Sequence, residues 1–206
     1  MHIIFDKDGT LIDSESVWFE AYDRLLQPYG LRHTAERHGR LMGASADSCI
    51  AQLRAEFPQL RIAKSDLFAE FRVVRDERGI VPMPGAIELL TRLRDRGITL
   101  GLATSAKRED TNTELDALGW RHYFSAIVTA DDVMHHKPHP EIYLRAAELL
   151  HAVPATCIAI EDGIHGVRSA HAAGMKTIFI RDERFRLPIP DEATQTVSSL
   201  TQLTLL

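Results

Sequence analysis

Two carboxylates near the amino terminus have a type and spacing suited to chemistry on charged substrates. Asp6 and Asp8 follow the apolar run 3–5, and Gly9 and Thr10 come directly after them. On an extended chain, side chains at i and i+2 project to one side, roughly 6–7 Å apart. Such a string at the end of a buried strand is far rarer than a bare Asp-x-Asp in a solvated loop. It therefore predicts an acidic site rather than a polar loop capped by Asp.

Polar residues also follow three later apolar runs of the chain, at corresponding points: Thr104 and Ser105, then Lys137, then Glu161 and Asp162. Taken singly, these are typical of a helix cap, a surface lysine and an acidic helix N-terminus. Taken together, they bring polar residues from four strands to one edge of a sheet, where parallel α/β folds bind ligands. The carboxylates Asp6, Asp8 and Asp162 suit Mg²⁺, and a lysine with a threonine can bind a phosphate.

The elements that must position these residues predict an α/β fold with a Rossmann-like parallel sheet flanked by helices. Five short apolar runs lack polar alternation, as strands buried on both faces do; they cover 3–5, 99–103, 126–128, 157–160 and 177–180. Helical patterns lie between the later runs, and one of them opens at Pro84 and Gly85. The tail from Pro188 shows too weak a pattern to predict more than a short final helix.

One stretch breaks this alternation of strands and helices. From Ser14 to Gly79 the apolar residues recur with helical spacing only, for example Trp18 with Tyr22. Breaks are expected at Pro58 and around Gly39 and Gly43. The pattern predicts an all-helical insert of about 65 residues after the first strand.

Composition excludes several classes of protein. The chain has 206 residues with 24 Lys plus Arg against 29 Asp plus Glu, a formal net charge of −5. It lacks the basic footprint of a general nucleic-acid binder and any apolar run near the ~20 residues of a membrane span. Cys49 and Cys157 form no CxxC pair, and the start of the chain is not typical of a signal peptide. We expect a cytoplasmic protein, monomeric by default, with no nucleic-acid or membrane partner.

The chain resembles the haloacid dehalogenase superfamily, in the branch with a helical cap of the C1 type that holds sugar phosphatases and β-phosphoglucomutase-like enzymes. The motifs that carry the resemblance are 6–15, 137–140 and 161–163. It implies a core domain of 1–14 and 81–206 and a cap domain of 15–80, with hinges near 14–16 and 79–84. It also implies a small phosphorylated metabolite as the substrate.

The resemblance further implies a role for each motif residue. Asp6 would be the nucleophile that forms an aspartyl phosphate, and Asp8 would protonate the leaving oxygen and then activate water. Magnesium would be held by the Asp6 side chain, the Asp8 backbone carbonyl and the Asp162 side chain, with Glu161 just outside these ligands. The transferring group would be bound by Thr104, the Ser105 N–H and Lys137.

Asp8 distinguishes among the reactions of the family. Dehalogenases lack an acid at this position and phosphonate-cleaving members replace it, so Asp8 favours work on phosphate esters. We expect a phosphatase that acts best on sugar phosphates. A β-phosphoglucomutase-like mutase is the first alternative. Such mutases carry a cap arginine after Gly-x-Ser, where this chain has Ala46, and a hinge histidine, where it has Trp18. A non-catalytic sensor of phosphorylated metabolites is the second alternative.

Other residues receive weaker predictions. Substrate specificity is expected to depend on Glu15, Trp18, Arg40 and Ser45 in the cap, although the spacing of Trp18 with Tyr22 fits a cap core equally well. The cluster His135, His136 and His139 matches no strong zinc pattern. Strand alternation directs Lys7 away from both neighbouring carboxylates, whose electrostatic field its charge could tune. The charged run 181–186 is typical of a solvated loop.

Overall fold

The computed structural model describes residues 1–185 and 187–204, and these form a parallel sheet flanked by helices. This confirms the predicted fold class. Six strands are described: β1 His2–Phe5, β2 Thr99–Ala103, β3 Phe124–Val128, β4 Cys157–Glu161, β5 Lys176–Ile180 and β6 Gln195–Val197. The first five coincide with the predicted apolar runs, whereas β6 lies in the tail where only a short helix was expected.

The strand order decides which polar residues can meet. It is β3-β2-β1-β4-β5-β6, with every pairing parallel, so β1 lies in the middle of the sheet. Phe5 at the end of β1 is in register with Leu102 of β2 and Ile160 of β4. The residues that follow these three strands therefore converge on one edge, at the point where the chain order reverses.

Eight α-helices are described within these residues. The first four make up the insert after β1. They are α1 Ser14–Leu26, α2 Ala35–Leu41, α3 Ala46–Glu56, α4 Lys64–Arg78, α5 Ala86–Asp95, α6 Arg108–Ala117, α7 Glu141–Leu149 and α8 Ile164–Ala172. Gly43 and Pro58 lie between helices as expected, but Gly39 lies inside α2. A Cβ at Gly39 would come within 2.5 Å of the Phe185 carbonyl oxygen, so its lack of a side chain permits a close approach.

The chain divides into two compact units. The sheet unit comprises Met1–Asp13, Pro82–Asp182 and the chain from Pro188 onward, and the helical unit comprises Ser14–Val81 and Glu183–Leu187. Within the run 181–186, which was expected to be a solvated loop, residues 183–185 form a turn in which Glu183 and Arg184 are exposed. Phe185 departs from that expectation because it is buried, and Arg186 lies outside the described residues. Phe185 packs against Phe19 and His38.

Two absences hold within the described part of the chain. Cys49 and Cys157 are buried free thiols in different units. None of the described helices has both the length and the apolar character that crossing a membrane requires.

Candidate active site

A buried ion pair lies at the carboxyl edge of the central strands. Asp6 follows β1 and is tied to β4 by a 2.9 Å bond from its N–H to the Ile160 carbonyl. Its Oδ1 accepts a 2.6 Å hydrogen bond from Lys137 Nζ, which comes from the loop between β3 and α7. Burial raises the pKa of Asp6 to about 7, against the opposing effect of Lys137. Lys137 therefore favours the charged form of Asp6, which burial disfavours.

Glu161, the last residue of β4, completes the coordination of this lysine. Its Oε1 accepts from Lys137 Nζ at 2.7 Å and from the Tyr143 hydroxyl at 2.8 Å, and its Oε2 accepts from the Gly163 N–H. Burial alone would lower the pKa of Lys137, but the Asp6 and Glu161 carboxylates raise it above its ordinary value. Both oxygens of Glu161 are thus already occupied by donors from the protein.

Asp162 is held in a cradle made by the first motif. Its Oδ1 accepts a 2.8 Å hydrogen bond from the Thr10 hydroxyl. Gly9 has a φ of +78°, and a Cβ there would lie 2.0 Å from Asp162 Oδ2. Carboxylate oxygens of Asp6, Glu161 and Asp162 all lie within 4.8 Å of one another. This all-oxygen set fits Mg²⁺.

Asp8 lies at the open side of the same edge. Its side chain is 36% exposed, whereas that of Asp6 is 9% exposed. Thr104, which follows β2, directs its hydroxyl at Asp8 Oδ2 across 3.3 Å and accepts from the Ala106 N–H. Ser105 follows it as an exposed residue at the end of the strand. The structure therefore brings the predicted Asp6, Asp8, Thr104, Lys137, Glu161 and Asp162 together.

The expectation that Lys7 points away from both neighbouring carboxylates is wrong for Asp8. Lys7 is 1% exposed, and its ammonium donates to Asp8 Oδ1 at 3.0 Å and to the Glu114 carboxylate of α6. The chain turns directly after Lys7, whose carbonyl accepts from the N–H groups of Leu11 and Ile12, so strand alternation no longer applies. Although burial opposes its charge, Asp8 and Glu114 raise the pKa of Lys7 to about 12.

Two residues of this site, Glu114 and Tyr143, were not found from the sequence, and neither was the partner of Thr10. Glu114 belongs to α6, whose weak apolar pattern gave no signal. Tyr143 is fully buried in α7. The signal for it in the sequence is a tyrosine, which needs a hydrogen-bond partner, at an apolar helix position. Thr10 was noted as a nearby hydroxyl, but its partner Asp162 lies 152 residues away in sequence.

The histidines beside Lys137 lie at the surface. His135 and His139 are exposed, and their rings pack at 4.5 Å. Glu141 accepts from the N–H groups of Met134 and His135 and from His135 Nδ1 at 2.8 Å. The carboxylate thereby closes the loop that carries Lys137. His136 is also exposed.

The helical unit contains a cavity of about 180 Å³ that bears on the cap predictions. Glu15 and Trp18 line it, together with Tyr22, His38 and Cys49. Trp18 also stacks on Phe71 at 3.9 Å, so it is part of the cap core as well.

Arg40 and Ser45 are not among the described residues that line this cavity. The structure gives both of them local partners instead. Arg40 pairs with Glu36 and Glu56 at the surface, and Ser45 caps α3 by accepting from the Ser48 N–H.

Fold and site together define a class: a parallel α/β protein whose carboxylates and lysine meet at the carboxyl edge of the sheet, suited to an anionic substrate. Comparison with known proteins gives the family. The model of the haloacid dehalogenase-like hydrolases matches residues 3–180, and the chain belongs to that family. The predicted resemblance is therefore confirmed.

Individual relatives narrow the class of enzyme. A phosphorylated carbohydrates phosphatase of Thermotoga maritima is 34% identical over 86% of this chain and 83% of its own length. The fructose-1-phosphate phosphatase of Escherichia coli K12 is 30% identical over 87% and 95%. A crystal structure from Thermotoga maritima, of a protein assigned as a β-phosphoglucomutase, superposes with a TM-score of 0.77 at 30% identity, covering 98% of both chains. The prediction of a phosphoric monoester hydrolase is confirmed at the level of the family.

Proposed function

We propose that this protein is a Mg²⁺-dependent phosphatase that hydrolyses small phosphorylated metabolites, best sugar phosphates, through an aspartyl phosphate on Asp6. The observation that carries the proposal is the buried Asp6–Lys137 pair, with Asp162 beside it at the ligand-binding edge of the sheet. Buried charges are weak stabilisers of a fold. Their concentration at one edge therefore supports a chemical use.

The first half-reaction transfers the phosphoryl group to the protein. A carboxylate oxygen of Asp6 attacks phosphorus, and the bond between phosphorus and the ester oxygen breaks. Asp8 donates its proton to that oxygen, which leaves as an alcohol. The exposed position of Asp8 suits this role, because the leaving group must reach it.

The second half-reaction regenerates Asp6. Asp8, now a carboxylate, takes a proton from a water molecule whose oxygen attacks the phosphorus of the aspartyl phosphate. The bond from phosphorus to the Asp6 oxygen breaks, and inorganic phosphate leaves. Asp8 is again protonated and Asp6 again a carboxylate, so no further reactant is needed.

Charge is the main obstacle to the first step, because a carboxylate and a phosphate dianion repel each other. Lys137 offsets part of this repulsion from its position 2.6 Å from Asp6 Oδ1. Asp6, Asp162 and the Asp8 carbonyl would hold Mg²⁺, which would supply further positive charge to the phosphoryl oxygens. Thr104, the Ser105 N–H and Lys137 would bind the transferring group. Glu161 would position Lys137 from outside the metal ligands.

Specificity for the leaving group is assigned to the helical unit. Glu15 and Trp18 line its cavity, which combines a carboxylate for hydroxyl groups with an aromatic face. The names of the phosphatases acting on phosphorylated carbohydrates and fructose 1-phosphate support a sugar phosphate as the substrate.

The test is phosphate release from a panel of sugar phosphates, other metabolite monophosphates and nucleotides, with Mg²⁺ or with EDTA. We expect turnover with Mg²⁺ that EDTA abolishes, highest on sugar phosphates. Mass spectrometry of rapidly acid-quenched samples, digested with pepsin in acid, should show one phosphoryl group on the peptide that contains Asp6. Turnover that persists in EDTA would contradict the metal dependence.

The mutase alternative needs a separate assay because a solved neighbour is assigned to that activity. Hexose 1-phosphate is supplied with a catalytic amount of the matching bisphosphate, and both isomerised product and free phosphate are measured. Isomerisation that exceeds phosphate release would replace the phosphatase by a mutase. Ligand binding without either product would favour a sensor.

A further inference from the structure

Lys7 places a positive charge in a buried position. The three residues before Asp6 are apolar and fully buried, and Lys7 itself is only 1% exposed. Enclosing an ammonium is unfavourable unless its charge and donors are satisfied. Lys7 is satisfied by two carboxylates, Asp8 at 3.0 Å and Glu114 on α6. An apolar side chain would fill this position without that cost.

The two partners of Lys7 differ in their surroundings. The Glu114 side chain is 12% exposed and belongs to a regular helix, whereas the Asp8 side chain is 36% exposed at the open edge. Glu114 is therefore the fixed end of the contact and Asp8 the end that needs to be held. An exposed carboxylate without such a contact rotates freely about its last side-chain torsion.

Asp8 is held at both of its oxygens. Oδ1 accepts from Lys7, and Oδ2 accepts from the Thr104 hydroxyl at 3.3 Å. The two hydrogen bonds to Asp8 are not equivalent. Thr104 has one hydroxyl proton, so it cannot donate to Asp8 and to a bound phosphate at once. Once phosphate takes that proton, the Lys7 contact remains to orient the carboxyl group and Oδ2 becomes available.

We propose that Lys7, anchored by Glu114, is a positioning residue that holds Asp8 with Oδ2 directed at the leaving-group oxygen. This inference rests on the proposed phosphatase function. Lys7 keeps its protons throughout. The bond changes are those of the first half-reaction, in which the Oδ2 proton of Asp8 passes to the ester oxygen as the phosphorus–oxygen bond breaks.

Leaving-group dependence separates this role from a structural one. A sugar alkoxide must be protonated as it leaves, whereas 4-nitrophenolate is a weak base that leaves without a proton. The ratio kcat/KM reports the steps up to transfer of the phosphoryl group to Asp6 when that transfer is irreversible. Misplacing Asp8 should therefore lower kcat/KM for a sugar phosphate and spare 4-nitrophenyl phosphate.

The experiment compares Lys7→Met, Glu114→Gln and the wild type on the best sugar phosphate of the panel and on 4-nitrophenyl phosphate, at saturating Mg²⁺. For Lys7→Met we expect kcat/KM to fall about 10- to 100-fold on the sugar phosphate and less than about 3-fold on the aryl ester. Glu114→Gln should show the same selectivity with a smaller loss. Lys176→Met removes an exposed lysine at the start of β5 and serves as the matched control.

Folding is controlled by a second variant. Lys7→Met removes the cation that contacts the enclosed Glu114 carboxylate, which destabilises the fold. Lys7→Met/Glu114→Leu removes both charges, and its thermal unfolding is measured beside the wild type. The inference predicts the same selective loss in this double variant.

Three outcomes would overturn the inference. Equal losses on both substrates would assign Lys7 a structural role, and unchanged rates would show that Asp8 needs no positioning. A faster reaction of the sugar phosphate would mean that the ammonium opposes protonation of Asp8. If the wild type hydrolyses neither substrate, the proposed function itself fails, which is distinct from these three results.

Discussion

At the carboxyl edge of the sheet the buried polar groups carry charge, whereas in the helical unit the central buried polar groups are two imidazoles. Lys137 donates hydrogen bonds of 2.6 and 2.7 Å to the carboxylates of Asp6 and Glu161. In the helical unit, His38 Nε2 lies 2.8 Å from Glu15 Oε2, and His33 Nε2 lies 3.1 Å from His38 Nδ1.

Glu15, His38 and His33 form a hydrogen-bonded series, the histidine chain. Glu15 determines the direction of its hydrogen bonds. An ionised carboxylate can only accept, so His38 donates to it through Nε2. His38 Nδ1 then accepts from His33 Nε2, which leaves His33 Nδ1 without a proton. That atom is buried and has no hydrogen-bond partner among the described residues.

The difference between the two regions separates two uses of buried polarity. At the sheet edge, charges are retained because the reaction needs them, and each is tied to a partner. In the helical unit, two imidazole rings packed among Phe19, Tyr22 and Phe185 fix the orientation of one carboxylate that lines a cavity. We therefore expect substitutions at the sheet edge to affect activity and substitutions in the histidine chain to affect stability and its dependence on pH.

Asp6→Asn is the largest test of the charged region. Replacing the nucleophile by an isosteric amide removes the covalent route, so phosphate release should fall at least about 1,000-fold. The measurement is kcat on the best substrate of the panel. Asp95→Asn changes an exposed carboxylate of α5 and should retain full activity. An Asp6→Asn variant that kept a tenth of the activity would rule out Asp6 as the nucleophile.

Gly9→Ala tests whether Asp162 must sit where it does. A Cβ at Gly9 would displace the Asp162 carboxylate, which lies 2.0 Å from it. Gly97 has a similar positive φ of +70° and nothing within 4 Å of its Cβ position, so it is a matched control for backbone strain. Both variants should lose about 1–2 kcal/mol of stability.

Activity should distinguish these two glycine variants. Gly9→Ala should lose about 100-fold in kcat/KM, as expected for a misplaced active-site group, while Gly97→Ala should lose none. Gly9→Ala should also require more Mg²⁺ for half-maximal activity. Equal activity in the two variants would show that the position of Asp162 is not critical.

Tyr143→Phe removes one hydrogen bond to Glu161 and leaves the ring in place. We expect kcat to fall about 10-fold, because a group that orients a site residue is weakened but not lost. Tyr123→Phe breaks the contact of another tyrosine hydroxyl, 2.9 Å from Thr91 Oγ1, away from the site. The prediction fails if the two variants lose activity equally.

The sequence alone predicted the sheet and most of the residues at its carboxyl edge, because parallel strands place their ends together. Buried strands appear as apolar runs, and the residues that follow them must converge whatever the details of packing. β6 escaped this reasoning because a three-residue edge strand, Gln195–Val197, is half polar and only partly buried. Gly39 was misread because a glycine can serve a close backbone approach inside a helix as well as a break.

The contacts that orient the site residues could not be predicted in the same way. Lys7 and Glu114 are separated by 107 positions, and no periodicity in α6 marks Glu114 as a partner. Strand alternation predicted that Lys7 points away from Asp8. The strand ends at Phe5 and the chain turns directly after Lys7, so alternation does not apply there. Pairings of this kind depend on where helices dock on the sheet rather than on any local pattern.

The histidine chain gives the smallest expected effect and a clear sign. Burial, with the nearby His38 and Arg37 adding to it, lowers the pKa of His33 to about 3. In the unfolded chain the same group titrates near its ordinary value of about 6.5. As pH falls below about 6.5 the unfolded state gains a proton that the folded state does not, so stability falls, down to about pH 3.

His33→Gln removes this dependence and should leave activity at pH 7 nearly unchanged. Between pH 7 and pH 5 the wild type should lose up to about 2 kcal/mol more in free energy of unfolding than His33→Gln, since one pH unit corresponds to about 1.4 kcal/mol. Urea unfolding at both pH values measures this difference, and His171→Gln, at an exposed position in α8, is the control. Equal losses in wild type and variant would mean that His33 takes up its proton in the folded state, and the contrast with the charged sheet edge would then disappear.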